Sequence, residues 1–240
     1  MMGELNGRRI VVMGGTSGIG LAAAQQLAEL GASVAVTGRN EERAAAVRAK
    51  NPGIAVQIVD ANSSDALQAF YKAQGTIDDL VLCVTGGKGA GPFAEISIAD
   101  LHDGFEQKFF AQFRAAQLAL PILRKDGSLT FVSAISARAA NPGTAGLAAI
   151  NGAIEAMIKP LARELRPLRV NAVSPGVVET PWWEKIPENV RRDLLQRSAA
   201  ASLVGRNGSP EEASSAIVFS VTNGFVTGTV IEVDGGLRLA

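Results

Sequence analysis

The sequence predicts a doubly wound α/β fold, with about seven parallel strands in one sheet and helices on both faces. Three observations predict it. Short β-branched runs alternate with longer helical stretches along the chain. Most of these runs are apolar at successive positions, as a parallel sheet buried on both faces requires. A glycine-rich turn joins the first run to the first helix.

The strand runs are residues 10–13, 33–37, 55–59, 80–84, 129–133, 169–173 and 229–233. Helical patterns fill 18–30, 41–50, 65–74, 98–123, 144–165 and 210–221. Gly31 follows the first helix, where a left-handed residue ends it. Asn40 caps the second, and Glu41 and Glu42 complement the positive end of its dipole. Ser209-Pro210-Glu211-Glu212 combines an N-cap, a proline at the first helical position and a glutamate at the third. Residues 177–208 interrupt the alternation. They hold Trp182, Trp183 and a short helix near 187–201, and are expected to form a lid after the sixth strand. No composition break divides the chain, so residues 1–240 are expected to make one domain.

Composition narrows the function. The chain has 240 residues, 47% of them hydrophobic, and a mean hydropathy of +0.18. That is ample for a buried core and excludes a disordered chain. Its 23 Lys and Arg balance 23 Asp and Glu. A zero balance attracts neither phosphate backbones nor anionic lipid, so no nucleic acid or membrane partner is expected. No unbroken apolar run reaches about 18 residues, so no membrane span is expected. The first residues reach a strand without a signal peptide's apolar region, so a cytoplasmic location is expected. Cys83 is the only cysteine. It can form no internal disulfide, and beside a single histidine it offers no metal cluster. His102, near a helix start, reads as a surface residue. There are 26 Gly but only 1 Tyr.

Met13-Gly14-Gly15-Thr16-Ser17-Gly18-Ile19-Gly20 lies between the first strand and first helix. A phosphate pair needs close backbone approach without Cβ atoms, and N–H groups at a helix N-terminus. Gly14, Gly18 and Gly20 suit both, and the strand-turn-helix context points to a dinucleotide. The second strand ends Thr37-Gly38-Arg39-Asn40, with no acid at the position that holds a ribose 2′-hydroxyl. A carboxylate would repel a 2′-phosphate, whereas Arg39 can pair with it bidentately. NADP(H) is therefore expected over NAD(H); Arg39 alternatively just solvates a helix start.

The Gly-xxx-Gly-x-Gly spacing resembles the short-chain dehydrogenase/reductase (SDR) family, whose fold is of the Rossmann type. Other matches follow in order over nearly the whole chain. Asp60 ends the third strand, where the family places an aspartate on the adenine amino group. Arg169-Val170-Asn171-Ala172-Val173-Ser174-Pro175-Gly176 resembles the RVN…PG segment, and Thr180 the threonine after it. Val233-Asp234-Gly235-Gly236 resembles the family's C-terminal DGG. The resemblance implies a cofactor set of Gly14, Thr16, Ser17, Gly18, Ile19, Gly20, Arg39, Asp60, Ala61, Gly86, Pro175, Gly176, Val178 and Thr180. It also implies a homodimer or homotetramer built on the helices at 98–123 and 144–165.

The family's acid–base residues are absent. Against Gly127–Ala134 the catalytic serine falls on Ala134. Against Leu147–Ala153 the Tyr-xxx-Lys pair falls on Leu147 and Asn151. Counting back from Pro121, the asparagine falls on Lys108. The family's Asn-Asn-Ala-Gly reads Cys83-Val84-Thr85-Gly86. Tyr71 belongs to the helix after strand three, away from the strands' carboxyl ends. The types Lys and Asn thus look exchanged across the pocket, as Lys108 and Asn151. A partly buried lysine can titrate near neutrality and act as an acid. Lys108 reads equally as a snorkelling surface lysine, and Asn151 as a helix asparagine at a subunit contact. Ser133 and Ser136 bracket Ala134 and could orient a carbonyl, or serve as ordinary strand-end hydroxyls.

The glycine-dense loop 85–93 could border the substrate or be a surface loop, and Trp182 or Trp183 could close over a substrate or pack the lid on the body; with few charges nearby, a small apolar carbonyl compound or alcohol is favoured. Three functions follow. The first is an NADP(H)-dependent oxidoreductase with Lys108, Ser136, Ser133 and Asn151 as its substituted catalytic set. The alternative is a non-catalytic NADP(H)-binding sensor or scaffold. The third is non-redox chemistry on this scaffold, such as isomerisation or elimination.

Overall fold

The computed structural model describes residues 5–240. The reading of the chain's start rests partly on residues 1–4, which lie outside the described residues. The strands are β1 (Arg9–Met13), β2 (Ser33–Gly38), β3 (Ala55–Ile58), β4 (Ile77–Leu82), β5 (Leu123–Val132), β6 (Arg169–Pro175) and β7 (Val230–Val233). They form one seven-stranded sheet in the order β3-β2-β1-β4-β5-β6-β7. Every pairing is parallel. The order reverses between β1 and β4, which opens a crevice at the carboxyl ends of these strands.

The helices are α1 (Gly18–Glu29), α2 (Glu41–Lys50), α3 (Ser64–Gln74), α4 (Ile98–Phe105), α5 (Ala111–Ala119), α6 (Ala145–Glu164), α7 (Glu188–Ala201) and α8 (Pro210–Thr222). Successive strand residues feed opposite cores. Val11 and Met13 join a cluster with Leu67 of α3, Ala115 of α5 and Ile154 of α6. Ile10 and Val12 join one with Leu27 of α1 and Ile217 of α8. This is why the central strands read as unbroken apolar runs. Gly31, at φ +95, ends α1 as expected. Asn40 accepts the Arg43 N–H at 2.8 Å. Ser209 and Glu212 form the expected capping box.

The expected helix 98–123 is broken. A π-helical turn, Glu106–Phe110, separates α4 from α5, and it carries Lys108. The helix ends at Ala119 because Pro121 lacks the N–H a further turn needs and disfavours a helical Leu120. β5 then starts at Leu123, not at 129. Its first half is polar, and its register slips between Ile77 and Asp79 of β4, so no apolar run marks it.

At the other end of the sheet, Asp79 is fully buried and accepts Arg8 Nε at 2.9 Å, Arg8 Nη2 at 2.7 Å and Ser128 Oγ at 2.6 Å. Asp79→Ala is expected to cost about 3 kcal/mol, the low end for breaking a buried pair. The Arg8 side chain keeps 32% of its surface in water, which softens the loss. Urea unfolding checks this: the midpoint should fall with an unchanged m value. A loss below about 1 kcal/mol, typical of a surface pair, contradicts it.

Candidate active site

The turn after β1 is built by backbone geometry. Gly14 has φ +78, and a Cβ there would sit 2.8 Å from the Cys83 backbone. The Gly14 and Gly15 N–H groups both donate to Thr37 O at 3.0 Å. α1 then begins without a side-chain cap, because Ser17 accepts no backbone N–H. Asn40, Ser63, Ser97 and Ser209 each accept one at α2, α3, α4 and α8, whereas α6 and α7, like α1, begin without one. The positive end of α1 is therefore left for another acceptor, and an anion such as a pyrophosphate fits it. Thr180 closes the far side, 3.2 Å from where a Gly18 Cβ would lie.

One cleft of about 730 Å³ runs from this turn across the carboxyl ends of the strands. The whole expected cofactor set lines it: Gly14, Thr16, Ser17, Gly18, Ile19, Gly20, Arg39, Asp60, Ala61, Gly86, Pro175, Gly176, Val178 and Thr180. Lys108, Ser133, Ser136 and Asn151 line the same cleft, as do Ala134 and Leu147. Asp60 shapes its turn by accepting the Asn62 N–H at 3.0 Å. Tyr71 lies elsewhere. It is buried in the core, its hydroxyl donates to Ala115 O at 2.8 Å, and burial pushes its pKa up. His102 is exposed on α4, as expected.

Two basic residues of the cleft escaped the sequence reading. Arg43 lies one helical turn beyond Arg39, with Nη1 3.5 Å from Ser17 Oγ; that spacing was a usable signal. Lys185, from the distant 177–208 segment, carried none.

Lys108 does not snorkel outward. Its Nζ donates to Ser133 O at 3.0 Å, leaving two N–H donors. Burial of the ammonium brings its pKa down to about 8, against the opposing pull of the Glu155 carboxylate. Cys83 is pushed up to about 12 by its own burial, only partly offset by Lys108, so it remains a neutral thiol. Lys88 also lines the cleft but pairs with Asp100 at 2.7 Å.

The two serines part company. Ser133 Oγ donates to Glu155 Oε1 at 2.8 Å, and Arg138 Nε holds Glu155 Oε2 at 2.8 Å. The Ser133 hydroxyl is thus turned to the protein, and its carbonyl meets Lys108. Ser136 sits in a short 3-10 turn, Ile135–Ala137, and its Oγ accepts Asn151 Nδ2 at 2.9 Å. Asn151 also donates to Leu147 O at 2.9 Å. The residue is 3% exposed, and its Oδ1 has no partner among the described residues. Asn151 is buried within its own chain, on the cleft wall. Glu155, which anchors this corner, was also missed. It lies one turn after Asn151 on α6, a spacing that was visible in the sequence.

Residues 177–208 fold as a 3-10 turn (Pro181–Lys185) and α7. Val178 and Gly208 pair as an isolated parallel bridge that pins both ends of the segment. Trp182 Nε1 donates to Gly86 O at 2.8 Å, tying the segment to the loop after β4. Trp183 Nε1 donates to Val178 O at 2.8 Å. The rings meet edge to face, 5.0 Å apart. Among the described residues, no helix is long and apolar enough to cross a membrane and no metal-binding cluster occurs.

Comparison with known proteins agrees with this architecture. Residues 14–238 match the family described as enoyl-(acyl carrier protein) reductase. The 3-oxoacyl-(acyl-carrier-protein) reductase FabG of Thermotoga maritima is 30% identical, over 98% of this chain and 99% of its own. A solved small-chain dehydrogenase in complex with NADPH is 31% identical, with a TM-score of 0.85 over 97% of this chain and 99% of that one. A Brucella melitensis short-chain dehydrogenase/reductase is 32% identical, with a TM-score of 0.89 over the full length of both. With its sheet order, its glycine turn and these matches, the chain belongs to the short-chain dehydrogenase/reductase family of oxidoreductases.

Proposed function

We propose that this protein is an NADP(H)-dependent oxidoreductase that reduces a small apolar carbonyl compound, or oxidises the matching alcohol, with a substituted acid–base set. The carrying observation is that one cleft joins an uncapped helix N-terminus and Arg39 to the inward-facing ammonium of Lys108. The solved relative bound to NADPH supports the cofactor reading. Gly14, Gly18, Ile19 and Gly20 would hold the pyrophosphate, Arg39 and Arg43 the 2′-phosphate, and Asp60 the adenine. The bound cofactor supplies the hydride chemistry.

The chain's own residues handle the oxygen and its proton. Lys108 Nζ, with two donors left, holds the proton destined for the substrate oxygen. Ser136 accepts from Asn151 and so turns its own O–H toward the cleft as a second donor. Asn151 Oδ1 accepts a hydroxyl, and Ser133 with Glu155 fixes the strand end on which Lys108 rests. This assigns Ser133 a positioning role, not that of the orienting hydroxyl. Leu147, Ile150, Trp182 and Trp183 line the cleft and favour an apolar substrate under the 177–208 segment as a lid. The strands of one sheet span Arg9 to Val233, which supports a single domain. Exposed Phe110, Phe113 and Leu120 on and beside α5 support self-association as a homodimer or homotetramer.

The test is NADPH consumption over a panel of aliphatic and aromatic ketones and aldehydes. Turnover on at least one apolar member is expected. Tight NADPH binding with no turnover on any member sinks the oxidoreductase reading and leaves a sensor.

A further inference from the structure

Lys185 lies at the end of the 3-10 turn and lines the cleft together with Arg39, Asn40 and Arg43. Its stem passes the loop after β4, with Cδ 3.9 Å from where a Gly87 Cβ would be. Its ammonium is 5.9 Å from the centroid of the Trp182 ring. Partial burial, and then the positive charges of Arg39 and Arg43, hold its pKa below the usual lysine range. Three cations, from the end of β2, from α2 and from the 177–208 segment, therefore line the same cleft. Among the described residues none of the three pairs with a carboxylate. Like charges gathered without a counterion are costly unless a multivalent anion sits between them.

We propose that Lys185 is a specificity-determining residue for the 2′-phosphate of NADP(H). It pairs with that phosphate opposite Arg39 and Arg43, and so makes seating of the 177–208 segment depend on it. The assignment rests on the NADP(H) reading above. The pyrophosphate takes the start of α1, which leaves the unpaired Arg39, Arg43 and Lys185 of the cleft lining for a second phosphate. The phosphate dianion matches the surplus charge of this lining, and the segment that carries Lys185 also carries Trp182, the residue tied to Gly86.

Both tryptophans of the chain belong to this segment, so tryptophan emission reports it alone. The experiment compares adenosine 2′,5′-bisphosphate with 5′-AMP as probes, in the wild type, Lys185→Ala, Lys185→Arg and Arg39→Ala. The wild type is expected to change its emission with the bisphosphate and not with AMP. Lys185→Ala is expected to lose that response and to weaken NADPH about tenfold or more, as loss of a charge-assisted bond does. Its NADH affinity should be unchanged, and Lys185→Arg should restore both readouts. Equal weakening of NADPH and NADH, or a wild-type response in Lys185→Ala, overturns the inference. If Arg39→Ala abolishes NADPH preference and Lys185→Ala does not, only the role of Lys185 falls. If neither changes the preference, the NADP(H) reading falls with it.

Discussion

Replacing Lys108 with Met is expected to lower kcat for carbonyl reduction by about 10²- to 10⁴-fold, the usual contribution of a positioned acid. NADPH affinity should change little, since Lys108 touches Ser133 and not the phosphate end of the cleft. The pH profile separates chemistry from packing. With a pKa of about 8, Lys108 is charged and able to donate below that pH. Reduction by the wild type should therefore fall above pH 8, and the variant's residual rate should lack this limb. For alcohol oxidation the dependence inverts, because the neutral amine is then the active form. Stability should move the other way from activity. An unfolded lysine titrates near about 10.4, so between pH 8 and that value the unfolded chain binds more protons. Wild-type stability consequently rises with pH over this window, and removing the desolvated charge should leave Tm at pH 7 unchanged or higher. A variant kcat within about threefold of the wild type, far below the range for a lost acid, refutes the assignment.

Gly20→Ala is expected to abolish measurable dinucleotide binding and to destabilise the fold. A Cβ at Gly20 would lie 3.0 Å from the Gly14 carbonyl carbon, 3.1 Å from Cys83 Cβ, and closer still to Gly14 O. Its first obstacles are backbone atoms of the phosphate turn, which no rotamer change can clear. Helix propensity favours alanine by about 0.8–1.0 kcal/mol. Overpacking costs about 1–3 kcal/mol and outweighs it. The net loss should lower Tm by a few degrees, at about 2–4 °C per kcal/mol for a chain of this size. The binding loss should be larger, because α1 can make room only by moving its N-terminus away from the turn. Calorimetric titration with NADPH and a thermal melt check both parts. Wild-type affinity in this variant would show that the turn tolerates the shift.

Much of the fold was legible in the chain itself. Residues of β1 alternate between two cores, so the run 10–13 had to be apolar throughout, and its pattern announced a covered parallel strand. Asn40 and Ser209 cap helices through contacts within a few residues, which spacing alone reveals. The broken helix was less legible. Pro121 was visible as a stop, but the π-helical turn at Glu106–Phe110 has no local signature in the sequence. The polar first half of β5 was likewise hidden, because it is exposed and only Leu123 pairs with β4 before the register slips.

The site divides along the same line. The sequence by itself determined the glycine turn, the missing carboxylate at the end of β2 and the absence of a tyrosine in reach of the cleft. These depend on residue identity and on short separations along the chain. Only the tertiary structure decided that Lys108 turns inward to Ser133 O, that Ser133 spends its hydroxyl on Glu155, and that Ser136 is the hydroxyl left facing the cleft. It alone brought Lys185 into the cleft that Arg39 and Arg43 line, across more than a hundred residues. Composition and spacing record which groups a chain owns. Desolvation and hydrogen-bond partnership, which set what those groups do, arise when distant segments are packed against one another.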